Sequence, residues 1–352
     1  MVEQLIRIGI VGAGANTRLR HIPGFRKIEG VGIAGVVNSS DESTQRAARE
    51  LDIPRTFSDW KSLVEDDEID AVMIGTWPNL HCEVTCAALA AGKHVLTEAR
   101  MARNLDEARR MRDAAAAHPD LTTQIVPSPL GLECGAAVKE LIDDEDFGEL
   151  RELVVIGATD SFWDDSQPVH WRQQSSLSGK NVLALGIMHE TVQRWCPPPL
   201  RVFAQGAIFS RRTSAKNGTS VKPDIPDSLQ VLTELDAGDA GGRGMYHLSG
   251  IALHGPPLQI HLYGSGGTIK VEFGSKERVL FGRAGEDELR EVEIPAAARG
   301  GWRVEEEFIS AIRGQEEVRL TDFATGVQYM EFTEAVSRSL DSGETVTLPL
   351  EE

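Results

Sequence analysis

The chain has 352 residues, 41% of them hydrophobic, and a formal net charge of −18. That length allows two domains with separate cores. The acidic balance excludes the broad basic face that nucleic acid or an anionic membrane surface would need. The four cysteines, Cys82, Cys86, Cys134 and Cys196, have no metal-ligand spacing and read as reduced thiols of a cytoplasmic protein. With the first strand opening at Ile6, no signal peptide is expected, and no apolar run reaches the length of a membrane span.

Ile6 to Val11 reads as a short buried strand. Gly12-Ala13-Gly14 then forces a tight turn, and a helix opens from Ala15. Its unpaired N–H groups and positive dipole end make an anion site suited to a pyrophosphate. Gly12 permits the turn and Gly14 lets a phosphate approach the backbone; Thr17 stands where a third glycine would complete the usual pattern. Thr17 to Ile28 reads as a helix start broken by a loop at Ile22-Pro23-Gly24.

Gly32 to Val37 is the second expected strand, followed by a helix over Glu42 to Leu51. The residue after this strand normally meets the adenosine ribose, where a carboxylate selects NAD over NADP. Asn38-Ser39-Ser40 supplies no carboxylate and no arginine, so the reading is NAD(P) with a lean to NADP. A short helix over Phe57 to Val64 and a strand over Ile69 to Gly75 follow. Thr76 to His81 reads as the loop closing that strand, before a helix over Val84 to Ala91. His94 to Leu96 and Thr123 to Val126 are the fourth and fifth strands, flanking a helix over Leu105 to Ala117. This alternation predicts an α/β fold with a doubly wound parallel sheet, a Rossmann domain over residues 1–126.

Pro127-Ser128-Pro129 reads as a hinge into a second domain, 127–352. Helices are expected over Ala136 to Asp143 and Lys180 to Trp195, the latter stopped by three prolines. Strands are expected over Leu150 to Thr159, Val202 to Arg211, Ser228 to Leu235, Gly244 to Leu253, Gln259 to Tyr263, Thr268 to Phe273 and Glu277 to Phe281. Their dense spacing predicts an α+β domain with a large, mostly antiparallel open sheet. Two helices close the chain, Val304 to Arg313 and Phe323 to Ser339, the final one expected to pack back on the first domain.

Five stretches together carry a family likeness: Gly12-Ala13-Gly14; Gly75 to His81; Ala91 to Glu98; His170-Trp171-Arg172 with Gly186 downstream; and Asp341 to Val346. In this order and spacing the chain resembles the glucose–fructose oxidoreductase/inositol dehydrogenase (Gfo/Idh/MocA) family over nearly its whole length. The resemblance implies NAD(P)-linked oxidation or reduction of a sugar, polyol or related carbonyl compound. It also implies a homodimer or homotetramer formed through the second domain's open sheet. The cofactor would lie across Gly12, Gly14, Ala15, Asn16, Thr17, Asn38, Ser39, Thr76, Trp77, His81 and Glu98. Within that set, Glu98 is expected to contact the nicotinamide ribose and His81 to be structural.

Three usual proton-handling positions depart from the family. Its lysine after the fourth strand is Ala99, and its aspartate–histidine pair falls on Ala184 and Met188. His189 stands one place later, and one helical step turns a side chain by about 100°. His189 is nevertheless the first candidate for proton transfer, because an imidazole titrates near neutral pH. Lys180 is the second candidate. Arg100, His170, Trp171, Arg172 and Glu190 are the candidate substrate contacts, an aromatic plane and a fork of donors suiting a sugar ring. No metal site is expected. Two other readings remain open: a glycosidase that oxidises and re-reduces its sugar with a retained NAD, and a non-catalytic nucleotide-binding member.

Overall fold

The computed structural model describes residues 5–216, 219–238 and 241–351. They fall into two compact units: residues up to Pro127 with Arg303–Gln328, and Ser128–Trp302 with residues from Tyr329 onward. The ends of the two expected domains, residues 1–4 and 352, lie outside the described residues.

The first unit begins with β1 (Ile6–Val11), a π-helical turn (Thr17–His21), α1 (Ile22–Arg26) and β2 (Val31–Val37). It continues through α2 (Asp41–Glu50), α3 (Trp60–Val64), β3 (Ala71–Ile74), α4 (Pro78–Ala90), β4 (His94–Thr97), α5 (Leu105–Ala116) and β5 (Thr123–Ile125). The strands form one parallel sheet in the order β2-β1-β3-β4-β5. All four residues of β3 are buried, as strands covered on both faces require. Val37, Val72, Ile74, Val84, Leu89 and Val95 build part of the core. Because β1 lies between β2 and β3, the turn after β1 opens where the strand order reverses, the usual ligand position in such sheets.

Two expectations in this unit are corrected. Helix α4 starts at Pro78, so His81 lies in its first turns and not in a loop. Proline at a helix start loses no hydrogen bond and is already set at a helical φ. Pro23 likewise opens α1 instead of interrupting the chain in a loop.

The second unit comprises α6 (Gly135–Asp143), β6 (Leu150–Ala158), a 3-10 turn (Trp171–Gln173), α7 (Ser175–Ser178) and α8 (Leu185–Val192). Then come β7 (Pro199–Ala207), β8 (Ser214–Lys216), β9 (Thr219–Val221), β10 (Ser228–Leu235), β11 (Gly242–Ser249) and β12 (Leu258–Gly264). The remaining strands are β13 (Gly267–Phe273), β14 (Glu277–Arg283), β15 (Arg290–Glu291) and β16 (Val346–Thr347). Nine of these make a sheet ordered β15-β14-β13-β12-β6-β11-β10-β7-β16, in which only β6 and β11 pair in parallel. One face carries buried Leu229, Val231, Tyr246, Ile260, Leu262 and Ile269. On the other, Phe203, Leu232, Met245 and Val154 stand in one cross-strand row.

The single helix expected over Lys180 to Trp195 is a shorter α8 preceded by a break. Gly179 (φ 67°) and Leu183 (φ 47°) both adopt left-handed backbone, which ends α7 and places Lys180 in the turn between helices. Strand β7 stops at Ala207, not Arg211, because the N–H groups of Phe209 and Ser210 donate to the Asp227 carboxylate instead of to a strand.

The chain then forms α9 (Val304–Ile312) and α10 (Phe323–Ser342); α10 starts in the first unit and ends in the second. In the first unit, Phe308 packs edge-on against Phe25 with ring centroids 6.4 Å apart. Ile125 exchanges backbone hydrogen bonds with Thr321. Among the described residues no helix is long and apolar enough to cross a membrane.

Candidate dinucleotide and substrate sites

The turn after β1 meets the turn after β3 backbone to backbone. Gly12 has φ +91°, and a Cβ there would stand 2.9 Å from the Gly75 carbonyl. A Cβ on Gly75 would stand 2.3 Å from the Gly12 carbonyl oxygen and 2.1 Å from Thr17 Oγ1. Both positions therefore require glycine. Thr17, in place of the third glycine, is buried and its hydroxyl donates to the Gly12 carbonyl at 3.1 Å. Gly14 and Ala15 are exposed at the opening of the helical run, where the first N–H groups have no intrahelical acceptor. This cradle fits a pyrophosphate.

Asn38 is a strut of that turn. Its Oδ1 accepts from Ala13 N at 2.7 Å and its Nδ2 donates to the Ser43 carbonyl at 3.1 Å. Its amide is thus committed to the backbone, and Ser39 and Ser40 beyond it are exposed. Ser40 caps α2. Trp77, exposed, precedes α4, and the Thr76 hydroxyl donates to the Trp77 carbonyl at 3.2 Å. His81 is fully buried, with Nδ1 3.0 Å from the Arg100 carbonyl and Nε2 3.1 Å from that of Thr76. It joins the segments that follow β3 and β4, a structural position.

Beyond β4, a buried polar cluster surrounds Glu98. His21 Nδ1 lies 2.5 Å from Glu305 Oε1, and His21 Nε2 lies 3.0 Å from Glu98 Oε1. Asn16 Nδ2 donates to the same Glu98 oxygen at 2.6 Å. An imidazole facing a carboxylate from each nitrogen satisfies both only as a cation. Burial alone would lower the His21 pKa, but its hydrogen bonds to Glu305 and Glu98 hold it at about 9. Burial would raise Glu98, but the hydrogen bond and charge of His21 together with the Asn16 hydrogen bond outweigh it and keep the carboxyl below its ordinary value.

His21 and Glu305 are the residues that sequence reasoning missed. Glu305 lies in an acidic run that reads as solvated, yet it is three and four places before Phe308 and Ile309 and shares their buried face. That spacing is the available signal.

In the second unit, His189 is in the core, contrary to its expected role at a reacting centre. It shares a hydrogen bond with the Tyr246 hydroxyl at 2.8 Å and stacks on Phe332 with centroids 3.6 Å apart. Burial pushes its pKa down to about 3, so the ring is neutral and enclosed. Glu190 is also internal: it accepts from Arg194 at 2.6 Å and from the Ser128 N–H. Its charge is spent within the unit. Lys180 differs, with a side chain 37% exposed and Nζ donating to Glu334 Oε1 at 2.6 Å. His170 caps the turn holding Trp171, and the Arg172 guanidinium lies 4.3 Å over the Trp171 ring. Arg100, in the first unit, is buried. No group of three or more potential metal ligands occurs among the described residues.

Residues 6–124 match the oxidoreductase family described by an NAD-binding Rossmann fold, and residues 136–270 match the GFO/IDH/MocA C-terminal domain. Levoglucosan dehydrogenase of Pseudarthrobacter phenanthrenivorans is 28% identical over 148 residues, 42% of this chain and 38% of that protein. Inositol 2-dehydrogenase of Klebsiella pneumoniae is 30% identical over 148 residues, 41% and 43% of the two chains. 1,5-Anhydro-D-fructose reductase of Ensifer adhaerens is 36% identical over 109 residues, 31% and 32%. The chain thus spans less than half the length of each of these relatives. Among solved structures, levoglucosan dehydrogenase in complex with NADH and levoglucosan aligns with a TM-score of 0.86 at 20% identity, covering 98% of this chain and 100% of that one. An oxidoreductase domain protein from Kribbella flavida aligns with a TM-score of 0.86 at 21% identity, covering 99% and 100%. These likenesses show the fold.

The His21 cluster sets a pH dependence. A histidine raised from 6.5 to about 9 on folding contributes stability that is complete below pH 6.5 and lost as pH rises through 9. The full span is on the order of 3 kcal/mol. Urea unfolding from pH 6.5 to 10 is expected to show this fall in the wild type and a much shallower one in Glu305→Gln. A wild-type profile flat across that range would contradict the assigned imidazolium.

Proposed function

Because this chain belongs to the GFO/IDH/MocA oxidoreductase family, we propose that it is an NAD(P)-dependent oxidoreductase acting on a sugar, cyclitol or related polyol or carbonyl compound. The observation that carries the reading is the glycine-only contact between the turns after β1 and β3, with the ionised Glu98 on the same sheet edge. When bound, the dinucleotide supplies or accepts the hydride. The N–H groups that open the helix after Gly12 and Gly14 would hold its pyrophosphate, and Glu98 would meet the nicotinamide ribose. Support for the substrate class comes from the relatives, whose names are those of levoglucosan, inositol and anhydrofructose enzymes. The run Asn38-Ser39-Ser40, with Ser39 exposed, has no carboxylate at the position that would contact the ribose 2′-hydroxyl, so NADP(H) is the favoured dinucleotide. Four free thiols support a reducing compartment such as the cytoplasm.

We assign proton handling to Lys180. Its amine reaches solvent and is anchored by Glu334, which Arg338 also contacts at 3.3 Å. The left-handed backbone at Gly179 and Leu183 fixes the turn that presents it. Trp171 with its stacked Arg172 offers a flat apolar surface and donors of the kind a sugar ring uses. Lys180→Met is expected to lower kcat at least about 100-fold, the usual range for loss of a general acid or base. NADPH and NADH titrations should be unchanged by that substitution and should favour NADPH. Full turnover by Lys180→Met would remove the lysine from the mechanism. No turnover of any sugar, cyclitol or polyol by the wild type would remove the oxidoreductase reading, and tenfold tighter NADH would reverse the dinucleotide preference.

The chain is further proposed to form a homodimer or homotetramer through the open face of the nine-stranded sheet. In its central row Phe203, Leu232 and Met245 are 38, 55 and 42% exposed. These are adjacent cross-strand partners, and a contiguous apolar strip of this kind favours burial against a second copy. Leu232→Asp would place a charge at the centre of the strip. Light scattering should then report a smaller species with an unchanged circular dichroism spectrum; an unchanged mass would place the interface elsewhere.

A further inference from the structure

Glu98 is held in an asymmetric way. The His21 ring and the Asn16 amide both donate to Oε1, at 3.0 and 2.6 Å. Its backbone N–H donates to the Ile74 carbonyl at 2.9 Å, which fixes the main chain at the end of β4. Among the described residues Oε2 has no donor, and the side chain is 15% exposed. One carboxylate oxygen is therefore consumed internally and the other reaches the surface.

The orientation originates in His21. The π-helical turn over Thr17–His21 packs one more residue into a turn than an α-helix does, changing which side chain faces inward. Leu19 and Arg20 are exposed, and His21 is the enclosed residue. Behind the ring, Glu305 on α9 takes the second N–H at 2.5 Å. A Cβ on Gly24 would come within 2.7 Å of the Glu305 carboxylate, so α1 closes over it. Without Glu305 the ring could turn away from Glu98; with it, both nitrogens are committed and one rotamer remains.

We propose that His21, clamped by Glu305, is a positioning residue for the cofactor: it orients Glu98 so that Oε2 accepts a hydroxyl of the ribose that carries the nicotinamide. This rests on the reading above that Glu98 meets that ribose. His21 touches neither cofactor nor substrate and acts through Glu98. A carboxylate fixed beforehand loses no side-chain freedom when the hydroxyl arrives, which tightens binding.

The test uses the full chain stripped of nucleotide and two probes. NADH contains both riboses; ADP contains only the adenosine half. Glu98→Gln and His21→Gln are each expected to weaken NADH about tenfold and to leave ADP within about twofold, and the double variant should bind NADH no worse than either single one. Glu305→Gln, which keeps an acceptor for the ring but removes the second charge, should show the same pattern more weakly, and it carries the test if His21→Gln does not fold. Equal loss of ADP and NADH in both His21→Gln and Glu305→Gln, or losses that multiply in the double variant, would make His21 a general structural residue and overturn the proposal. NADH affinity unchanged by Glu98→Gln would remove the ribose contact itself, and the proposal with it.

Discussion

An enclosed imidazole between two carboxylates organises the first unit. Each carboxylate, buried alone, would carry a desolvation cost of several kcal/mol. The His21 cation and the Asn16 amide offset it by filling the acceptor sites that water would otherwise occupy. The cluster ties together the helix after the phosphate turn, the exit of β4 and α9. Its members are 77 and 284 residues from His21 in sequence, so the nucleotide-binding unit is complete only once the chain returns at Val304. The Phe25–Phe308 contact and the Thr321–Ile125 backbone pairing secure that return.

How much of this was legible depends on which force decides each element. Strands β1 to β5 are apolar runs bounded by turn residues, and a parallel sheet needs little else to be recognised. The glycine turn was equally plain, because Gly12 and Gly75 have steric reasons to be glycine. Proline misled at Pro78 and Pro23, where it opens helices, because its two roles share one signature. Leu183 gave no warning at all: a left-handed leucine is held by surrounding packing, and local propensity argues against it. The helix expected from Lys180 therefore begins at Leu185, and that change leaves the amine in a turn.

Side-chain roles were harder to read than elements. Asn38 sits where a ribose contact is expected, yet its amide braces the turn through Ala13 and Ser43. His189 occupies the helix that resembles the family's reactive one, yet Tyr246 and Phe332 enclose it. In both cases sequence position named the neighbourhood and burial decided the function. Glu305 shows the reverse, since a charge within an acidic run is usually solvated and this one is buried by its alignment with Phe308 and Ile309.

The most direct test of the account is the protonation state of His21 itself. Nitrogen-15 chemical shifts of histidine-labelled protein, with His21 assigned by its loss in His21→Gln, report whether each ring nitrogen carries a proton. Both His21 nitrogens are expected to remain protonated through pH 8 and the ring to titrate near 9. A ring that is singly protonated at pH 7.5, titrating near its ordinary value of 6.5, would contradict the buried Glu305–His21–Glu98 arrangement on which the proposed ribose contact of Glu98 rests.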